Sequence, residues 1–263
     1  MKYAVSIPPF TDPGAILRLA TDAEEAGWDG VFLWDHLRWS PETRLDVHDP
    51  WVLLGAIASQ TERVTLGTMV TPLSRRRPWI VAKEITTLDH LSGGRAVLGV
   101  GLGAPADADF GDFGDVSDDR GRAEILDDAL SLVDKLLRGG PVVHAGPHFT
   151  VDSELLPVPV QQPRPPIWVA GVAPSRRPLA RARQWDGFVP IGSPFLTPDQ
   201  LVDYVGADAP AGWDLVAPWA PGVPGDEYAD AGATWLIDST WPGEEWYDEF
   251  AARIRSGPTA PPD

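Results

Sequence analysis

Short apolar runs alternate with amphipathic stretches along most of this chain. The first run, Lys2 to Ile7, predicts a β-strand, and the stretch after it places Ile16, Leu19 and Ala23 at helical spacing. The alternation then repeats, and it is typical of a parallel sheet whose strands are joined by helices. The predicted strands span residues 2–7, 30–34, 64–70, 95–101, 166–170, 187–190, 213–217 and 233–237.

Cap residues and prolines mark where the helices begin and end. Asp12-Pro13 and Asp49-Pro50 each provide a capping side chain followed by a proline suited to the first helical turn. Ser92-Gly93-Gly94 is a stop signal, because glycine readily adopts the left-handed conformation that ends a helix. The predicted helices span residues 13–26, 50–60, 78–92, 120–137, 178–183, 201–205 and 244–254.

The eight predicted strands favour a closed (β/α)8 barrel, a TIM barrel, over an open doubly wound sheet. Residues 190–232 contain too little helix for two complete β/α units, which predicts an abbreviated C-terminal third. Residues 142–151 predict an inserted hairpin. We therefore interpret residues 1–255 as a single barrel domain, followed by a Pro-rich, flexible tail over residues 256–263.

Composition narrows the classes of partner. The chain of 263 residues has a net charge of −17, which argues against nucleic acid and anionic membranes, since both require a basic surface. No apolar run approaches the roughly 20 residues of a membrane helix, and the N-terminal run is too short for a signal peptide. We expect a cytoplasmic protein. Two basic clusters, Arg75–Arg77 and Arg176–Arg177, could attract an anionic cofactor against this field.

Several chemistries are disfavoured by residue type and spacing. The absence of cysteine excludes thiolate metal sites and a cysteine nucleophile, and the five histidines lack the paired spacing of a helical zinc site, so no metal is predicted. No G-x-S-x-G elbow is present. The run Gly99–Gly103 lacks the final spacing of a dinucleotide fingerprint and no helix follows it directly. Its glycines are interpreted as allowing a ligand to approach the backbone.

Four blocks of sequence, in order and spacing, resemble the luciferase-like monooxygenase superfamily. They are AEEAGWDGVFLWDH at 23–36, TLGTMVTPL at 65–73, LDHLSGGR at 88–95 with LGVGLG at 98–103, and PPIWVAG at 165–171. The resemblance implies a bacterial-luciferase-like barrel that uses FMN or coenzyme F420 for monooxygenation or hydride transfer on a small organic substrate. It leaves a homodimer open.

The resemblance also implies roles for individual residues at the C-terminal mouth of the barrel. His36 is expected to be catalytic, because an imidazole can exchange protons near neutral pH. Asp35 and Trp39 are expected in the substrate pocket. The cofactor ring is expected to lie against a bulged third strand that contains a non-proline cis peptide at Met69–Val70. The other residues expected to bind cofactor are Leu102 and Gly103 after strand four, and Gly171, Val172, Ala173, Ser175 and Arg176 in the loop that would hold its phosphate.

Two departures from the family pattern leave the cofactor undecided. Leu102 stands where many flavin-using members have a phosphate-binding arginine, and Ala104 stands where some deazaflavin members have an acidic glutamate. The alternative interpretation is therefore a non-catalytic, cofactor-binding relative with the same fold. The Gly/Asp-rich loop from Ala104 to Asp119 is expected to be mobile in the absence of ligand.

Overall fold

Eight parallel strands close into a barrel in the computed structural model, which describes residues 1–40, 42–206, 209–243 and 245–261. The barrel strands are β1 (Lys2–Ile7), β2 (Gly30–Leu33), β3 (Thr65–Pro72), β4 (Ala96–Gly101), β7 (Ile167–Val172), β8 (Gly187–Ile191), β9 (Asp214–Pro218) and β10 (Trp235–Ser239). An antiparallel pair, β5 (Val142–Ala145) and β6 (Thr150–Ser153), forms the inserted hairpin. The predicted barrel and hairpin are confirmed.

Helices follow the strands and cover the outside of the barrel. They are α1 (Pro13–Glu25), α2 (Pro50–Ala58), α3 (Pro78–Ser92), α4 (Asp119–Arg138), α5 (Arg176–Ala182), α6 (Pro198–Val205), α7 (Gly225–Asp230) and α8 (Trp246–Arg255). The predicted caps are present: the carboxylate of Asp12 accepts from the Ala15 N–H at 3.1 Å, and that of Asp49 accepts from the Val52 N–H at 3.0 Å. Gly93 ends α3 with φ at 67°.

The C-terminal third is abbreviated, as its sequence predicts. Helices α5, α6 and α7 have 7, 8 and 6 residues, against 20 in α4. Helix α7 was not predicted, because Tyr228 is its one large apolar residue and no periodic face can be recognised around it. The predicted start of the last helix, Glu244, lies outside the described residues.

The strand order places β7 opposite β1. Around the barrel the order is β1-β10-β9-β8-β7-β4-β3-β2, so four steps in either direction separate these two strands. Because all eight strands are parallel, their C-terminal ends form a single rim, and the loops that follow the strands surround the mouth there. Residues that follow β1, β2 and β10 therefore share one side of the mouth, and the loop after β7 lies on the other side.

Strand β3 is bulged where it pairs with β4. The register shifts between Thr68 and Thr71, and the Met69–Val70 peptide within this segment is cis, as the resemblance implies. A Cβ atom at Gly99 would lie 2.1 Å from the Thr68 carbonyl oxygen. Gly99 therefore accommodates the bulged neighbouring strand, which corrects the interpretation that it accommodates a ligand.

Large aromatic side chains fill the barrel interior away from the mouth, and small residues line the layer nearer the mouth. Phe32, Trp168 and Trp235 are buried there with ring centroids 5.3–6.3 Å apart. Inward positions alternate along each strand, so the next layer towards the mouth is lined by small residues. These are Ser6, Gly101, Ala170 and Ser239.

Part of the segment predicted as a flexible tail is in contact with the barrel. Gly257 and Pro261 are buried, and the Pro261 carbonyl accepts a hydrogen bond from the Gly222 N–H at 2.8 Å. Residues 262 and 263 lie outside the described part of the chain. Among the described residues, no helix has the length and apolar character needed to span a membrane.

Candidate functional site

His36 lies at the barrel mouth, three residues past the end of β2, and is held by a carboxylate from another loop. Its Nδ1 atom is 2.7 Å from Oδ2 of Asp109, which belongs to the loop after β4. The other oxygen of Asp109 accepts hydrogen bonds from the backbone N–H groups of Leu37 and Arg38, at 2.8 and 2.9 Å. Asp109 thus fixes both the imidazole ring and the backbone that carries it.

The partner of Nδ1 determines what the rest of the ring can do. An ionised carboxylate only accepts hydrogen bonds, so Nδ1 carries the proton that it donates to Asp109. No described residue makes a hydrogen bond to Nε2, and the His36 side chain is 13% exposed. With Nδ1 as the donor to Asp109, Nε2 is the ring nitrogen left to exchange a proton at the mouth, which is the arrangement of a general base with its orienting carboxylate.

The part of this loop that carries Asp109 packs into the fold, and the mobility expected for residues 104–119 stays a prediction. Ala108, Asp109 and Phe110 are fully buried. The buried guanidinium of Arg122 lies 4.7 Å from the centroid of the Phe110 ring and donates to the Gly103 carbonyl oxygen at 2.7 Å. Packing and these polar contacts together position residues 108–110 beneath His36.

Asp35 supports the site from within the fold rather than lining a pocket. Its carboxylate is buried, 2.8 Å from Nη2 of Arg75 and 2.9 Å from Nε of Arg76, and it accepts from the Thr71 hydroxyl at 2.8 Å. Burial by itself raises the pKa of Asp35, but the guanidinium groups of Arg76 and Arg75 hold that pKa below its ordinary value. The expectation that Asp35 faces substrate is corrected.

The same contacts correct the expectation that the basic cluster Arg75–Arg77 attracts an anionic cofactor. The Arg75 side chain is buried and also lies 3.4 Å from Asp109, so it links the two carboxylates beneath His36. Arg76 is engaged by Asp35, Asp49 and Glu84. Both arginines neutralise buried acids and do not present free charge to an anionic cofactor.

Glu84 is the outermost member of this network. Its Oε1 atom lies 3.5 Å from Nη1 of Arg76, whereas Oε2 is buried without a hydrogen-bond partner. Burial raises the pKa of Glu84 to about 7; Arg76 opposes the rise, and Asp49 and Asp35 add to it. The residue therefore titrates near neutral pH.

An aromatic cluster borders the site on the side of β1, β2 and β10. The Trp39 ring lies 5.2 Å from His36, 5.5 Å from Trp34 and 5.7 Å from Trp241 (centroid distances). Phe10 contacts Trp34, His36 and Trp39. Trp39 was expected in a substrate pocket, and that role stays a prediction. The sequence analysis did not assign Phe10, Trp34 or Trp241, because they come from three separate segments.

The bulge and the opposite strand ends present apolar side chains to the mouth. Met69 and Val70 are partly buried and pack on the residues that fill the barrel interior. Val172 and Ile191 end β7 and β8 side by side in register, and their side chains are 55% and 38% exposed. Each lies two residues after an inward-pointing residue of its strand, Ala170 or Val189, so its side chain also points inward. Both therefore line the mouth on the side opposite β1 and β2.

The loop after β7 only partly matches the predicted phosphate site. The Ala173 N–H already donates to the Ile191 carbonyl oxygen at 2.9 Å, and the Arg176 guanidinium donates to the carbonyls of Asp203 and Tyr204 at the end of α6. A Cβ atom on Gly171 would lie 2.1 Å from Pro178, so this glycine permits close packing of α5. The exposed Ser175 hydroxyl makes no capping hydrogen bond and remains available.

Leu102 and Gly103 contribute through their backbone. Leu102 packs outward against the layer between the barrel and the helices. A Cβ atom on Gly103, where φ is 79°, would meet Pro72 at 2.7 Å and Phe110 at 2.8 Å. Their binding role stays a prediction, and the described contacts give both residues a structural function.

Comparison with known proteins places this chain in the family that its sequence motifs resemble. A family model described as luciferase-like monooxygenase matches residues 1–212. An F420-dependent glucose-6-phosphate dehydrogenase from Beutenbergia cavernae is 36% identical over 201 residues, which cover 72% of this chain and 55% of that protein. The chain spans about half the length of the curated relatives it matches.

Solved structures of similar fold cover almost the whole chain. The F420-dependent tetrahydromethanopterin reductase of Methanopyrus kandleri superposes with a TM-score of 0.76 at 18% identity, covering 97% of this chain and 98% of that one. A monooxygenase from Streptomyces bottropensis superposes with a TM-score of 0.70 at 23% identity, covering 97% of both chains. At these identities the likeness concerns the fold alone.

Proposed function

Because this chain belongs to the luciferase-like monooxygenase family, we propose that it is an oxidoreductase that binds F420 or FMN at the barrel mouth and acts on a small organic substrate. The observation that carries the proposal is the pair His36 and Asp109, 2.7 Å apart, which leaves the second imidazole nitrogen of His36 without a hydrogen-bond partner among the described residues. A buried carboxylate that orients a partly exposed imidazole is the arrangement expected of a proton-transfer site.

The residues around the mouth fit a planar ring system. Small side chains line the upper layer of the barrel, and partly exposed apolar side chains at the ends of β7 and β8 would be covered by such a ring. Met69 and Val70 would support it from the bulge. The Ser175 hydroxyl, with Arg177 on the exposed start of α5, would hold the anionic end. These contacts are proposals for the bound state.

The protein contributes proton handling and positioning to the reaction. A bound F420 or FMN supplies the hydride or electron chemistry. The Nε2 atom of His36 accepts a proton from a substrate hydroxyl, or returns one in the reverse direction, and Asp109 stabilises the imidazolium that results. The aromatic cluster around Trp39 excludes water from this nitrogen.

F420 is the cofactor that the relatives favour. The curated proteins from Beutenbergia cavernae, Microbacterium testaceum and Nakamurella multipartita, at 33–36% identity, are all named F420-dependent. Leu102, in place of the arginine of many flavin-using members, agrees with this choice, whereas Ala104, in place of the glutamate of some deazaflavin members, does not. Titration of the purified protein with F420 and with FMN tests the proposal: we expect a saturable change in cofactor fluorescence with one of them. Binding of neither would contradict it.

His36→Ala tests the proton-transfer role. We expect kcat to fall by about 100-fold or more, because general acid–base catalysis typically contributes that much, while the dissociation constant of the cofactor changes little. His48→Ala is a matched control, since His48 lies farther along the same loop and outside the pair with Asp109. Unchanged turnover in His36→Ala would remove the residue from this role.

A cofactor-binding relative without turnover is the second candidate. The observations that favour it are Ala104, in place of the glutamate acid of some deazaflavin members, and the abbreviated C-terminal third. Consumption of reduced cofactor in the presence of any substrate would exclude it. The homodimer stays a prediction, which light scattering on the purified protein would test.

A further inference from the structure

The two halves of the mouth differ in chemistry. The exposed start of α5, after β7, carries Arg176 and Arg177. On the opposite side, the loops after β1, β2 and β10 bring together the aromatic rings of Phe10, Trp34, Trp39 and Trp241. Because β7 and β1 are four strands apart in either direction, the start of α5 and the aromatic rings lie on opposite sides of the rim, and only the second of these forms the aromatic half.

The aromatic half offers little positive charge to a ligand. Beyond residue 184 the sequence contains no Lys or Arg except Arg253 and Arg255, and these pair with Asp238 at 3.0 Å and with Asp22 at 3.3 Å. The segment 34–49 carries four acids and two arginines. Nη1 of one of these arginines, Arg38, donates to Asp112 at 3.0 Å. A phosphate dianion on this side would lose its hydration without sufficient compensation.

Trp241 provides an open stacking surface. Its side chain is 66% exposed although its ring contacts Trp34 and Trp39 at centroid distances of 5.5 and 5.7 Å. The cluster fixes one face of the indole and leaves much of the rest in solvent. An exposed indole in the same aromatic cluster as His36 is suited to bind a flat apolar molecule by stacking.

Resting on the proposed function, we infer that the substrate is a planar, apolar molecule without phosphate or carboxylate, stacked against Trp241 and Trp39 beside His36. This chemistry differs from that of a sugar phosphate, the compound in the names of the F420-dependent relatives. The loop after β7, with the Ser175 hydroxyl, serves the anionic part of the cofactor, and the aromatic half serves the substrate.

Benzyl alcohol and benzyl phosphate are suitable probes, because they differ only in the phosphate group. Their binding is measured by calorimetry and by saturation-transfer NMR on the full chain, with and without F420, and glucose 6-phosphate is included. We expect benzyl alcohol to bind at least about tenfold more tightly than either anion. Equal or tighter binding of an anion, or no binding of benzyl alcohol, overturns the inference.

Substitutions at Trp241 test where benzyl alcohol binds. Trp241→Ala should weaken benzyl alcohol binding by about three- to tenfold, the usual range for an aromatic contact, and Trp241→Phe should restore most of it. Val143→Ala, at an exposed position of the hairpin, is the matched control. An unchanged affinity in Trp241→Ala overturns the inference. Cofactor titration is a separate readout: if F420 and FMN both fail to bind, the proposed function falls, whereas the alcohol–phosphate comparison still decides the ligand class.

Discussion

At the scale of single residues, the site depends on buried carboxylates that lie directly behind the exposed groups. Asp109 holds the His36 ring and the backbone after it, Asp35 neutralises two arginines, and Arg75 joins the two acids. Such a network is stable only when each charge is paired, because an unpaired buried charge is costly. Individual substitutions within it should therefore have distinct and measurable effects.

Asp109→Asn tests positioning. The asparagine oxygen can still accept from the N–H groups of Leu37 and Arg38, but its NH2 group would face Nδ1 of His36 and reverse the tautomer. We expect kcat to fall by about tenfold or more while KM and the circular dichroism spectrum stay close to those of the native protein. A parallel loss of kcat and of folded structure would instead indicate a purely structural role.

Glu84→Gln tests the titration near neutral pH. The folded-state pKa of about 7 lies above the ordinary value of 4.5, so this carboxyl favours the folded state at low pH. That contribution is lost as the pH rises from 4.5 to 7. The variant should therefore be more stable than the native protein at pH 8 by roughly 1–2 kcal/mol, a figure reduced for solvent screening. Urea unfolding at pH 5 to 8 measures this, and parallel stability curves would contradict it.

At the scale of elements, the bulge in β3 depends on the glycines of the neighbouring strand β4, which leave space for it. A Cβ atom added to Gly99 would lie 2.1 Å from the Thr68 carbonyl oxygen. A Cβ atom added to Gly101 would lie 2.9 Å from the Val70 side chain. The run Gly-Val-Gly-Leu-Gly is therefore explained by strand packing. The bulge in turn brings Met69 and Val70 towards the mouth, so β4 shapes the site through the strand beside it.

Gly99→Ala tests this coupling. The added methyl group would displace the bulge, and we expect a loss of about 2–3 kcal/mol in the free energy of unfolding together with weaker cofactor binding. Gly55→Ala is the matched control: the nearest atom to its Cβ would be 3.9 Å away in a helix, so it should stabilise the protein by about 0.5–1 kcal/mol. Equal unfolding midpoints for the two variants would be incompatible with this account.

At the scale of the whole molecule, the last helix completes the barrel beside the first. The indole N–H of Trp28, just after α1, donates to the Ile254 carbonyl oxygen on α8 at 2.9 Å, and β10 pairs with β1 along five residues. Phe250 of α8 is fully buried. The ends of the described chain thus belong to one cooperative structure, although the helices before α8 are short.

Phe250→Ala should destabilise the entire barrel by about 3–5 kcal/mol, since it leaves a cavity between α8 and the strands. We expect a single urea transition shifted to lower concentration. Glu249→Ala, one residue earlier and exposed, should change the free energy of unfolding by roughly 0.5 kcal/mol or less. Two separate transitions in Phe250→Ala would show that the C-terminal part unfolds independently.

The sequence alone determined the architecture and the position of His36. Alternating strands and helices, Asp-Pro caps and glycine stops are local signals, because they reflect the conformational preferences of neighbouring residues, and they predicted each barrel strand and the inserted hairpin. Only the tertiary structure decided which side chains pair with one another in the site. Asp109 could not be distinguished from the other acids of its loop, Asp35 could not be recognised as buried beneath Arg75 and Arg76, and Trp241 is more than 200 residues from Phe10 along the chain. Those relations arise only when barrel closure brings the strand ends together, since pairing of charges and rings depends on distance in space rather than along the chain.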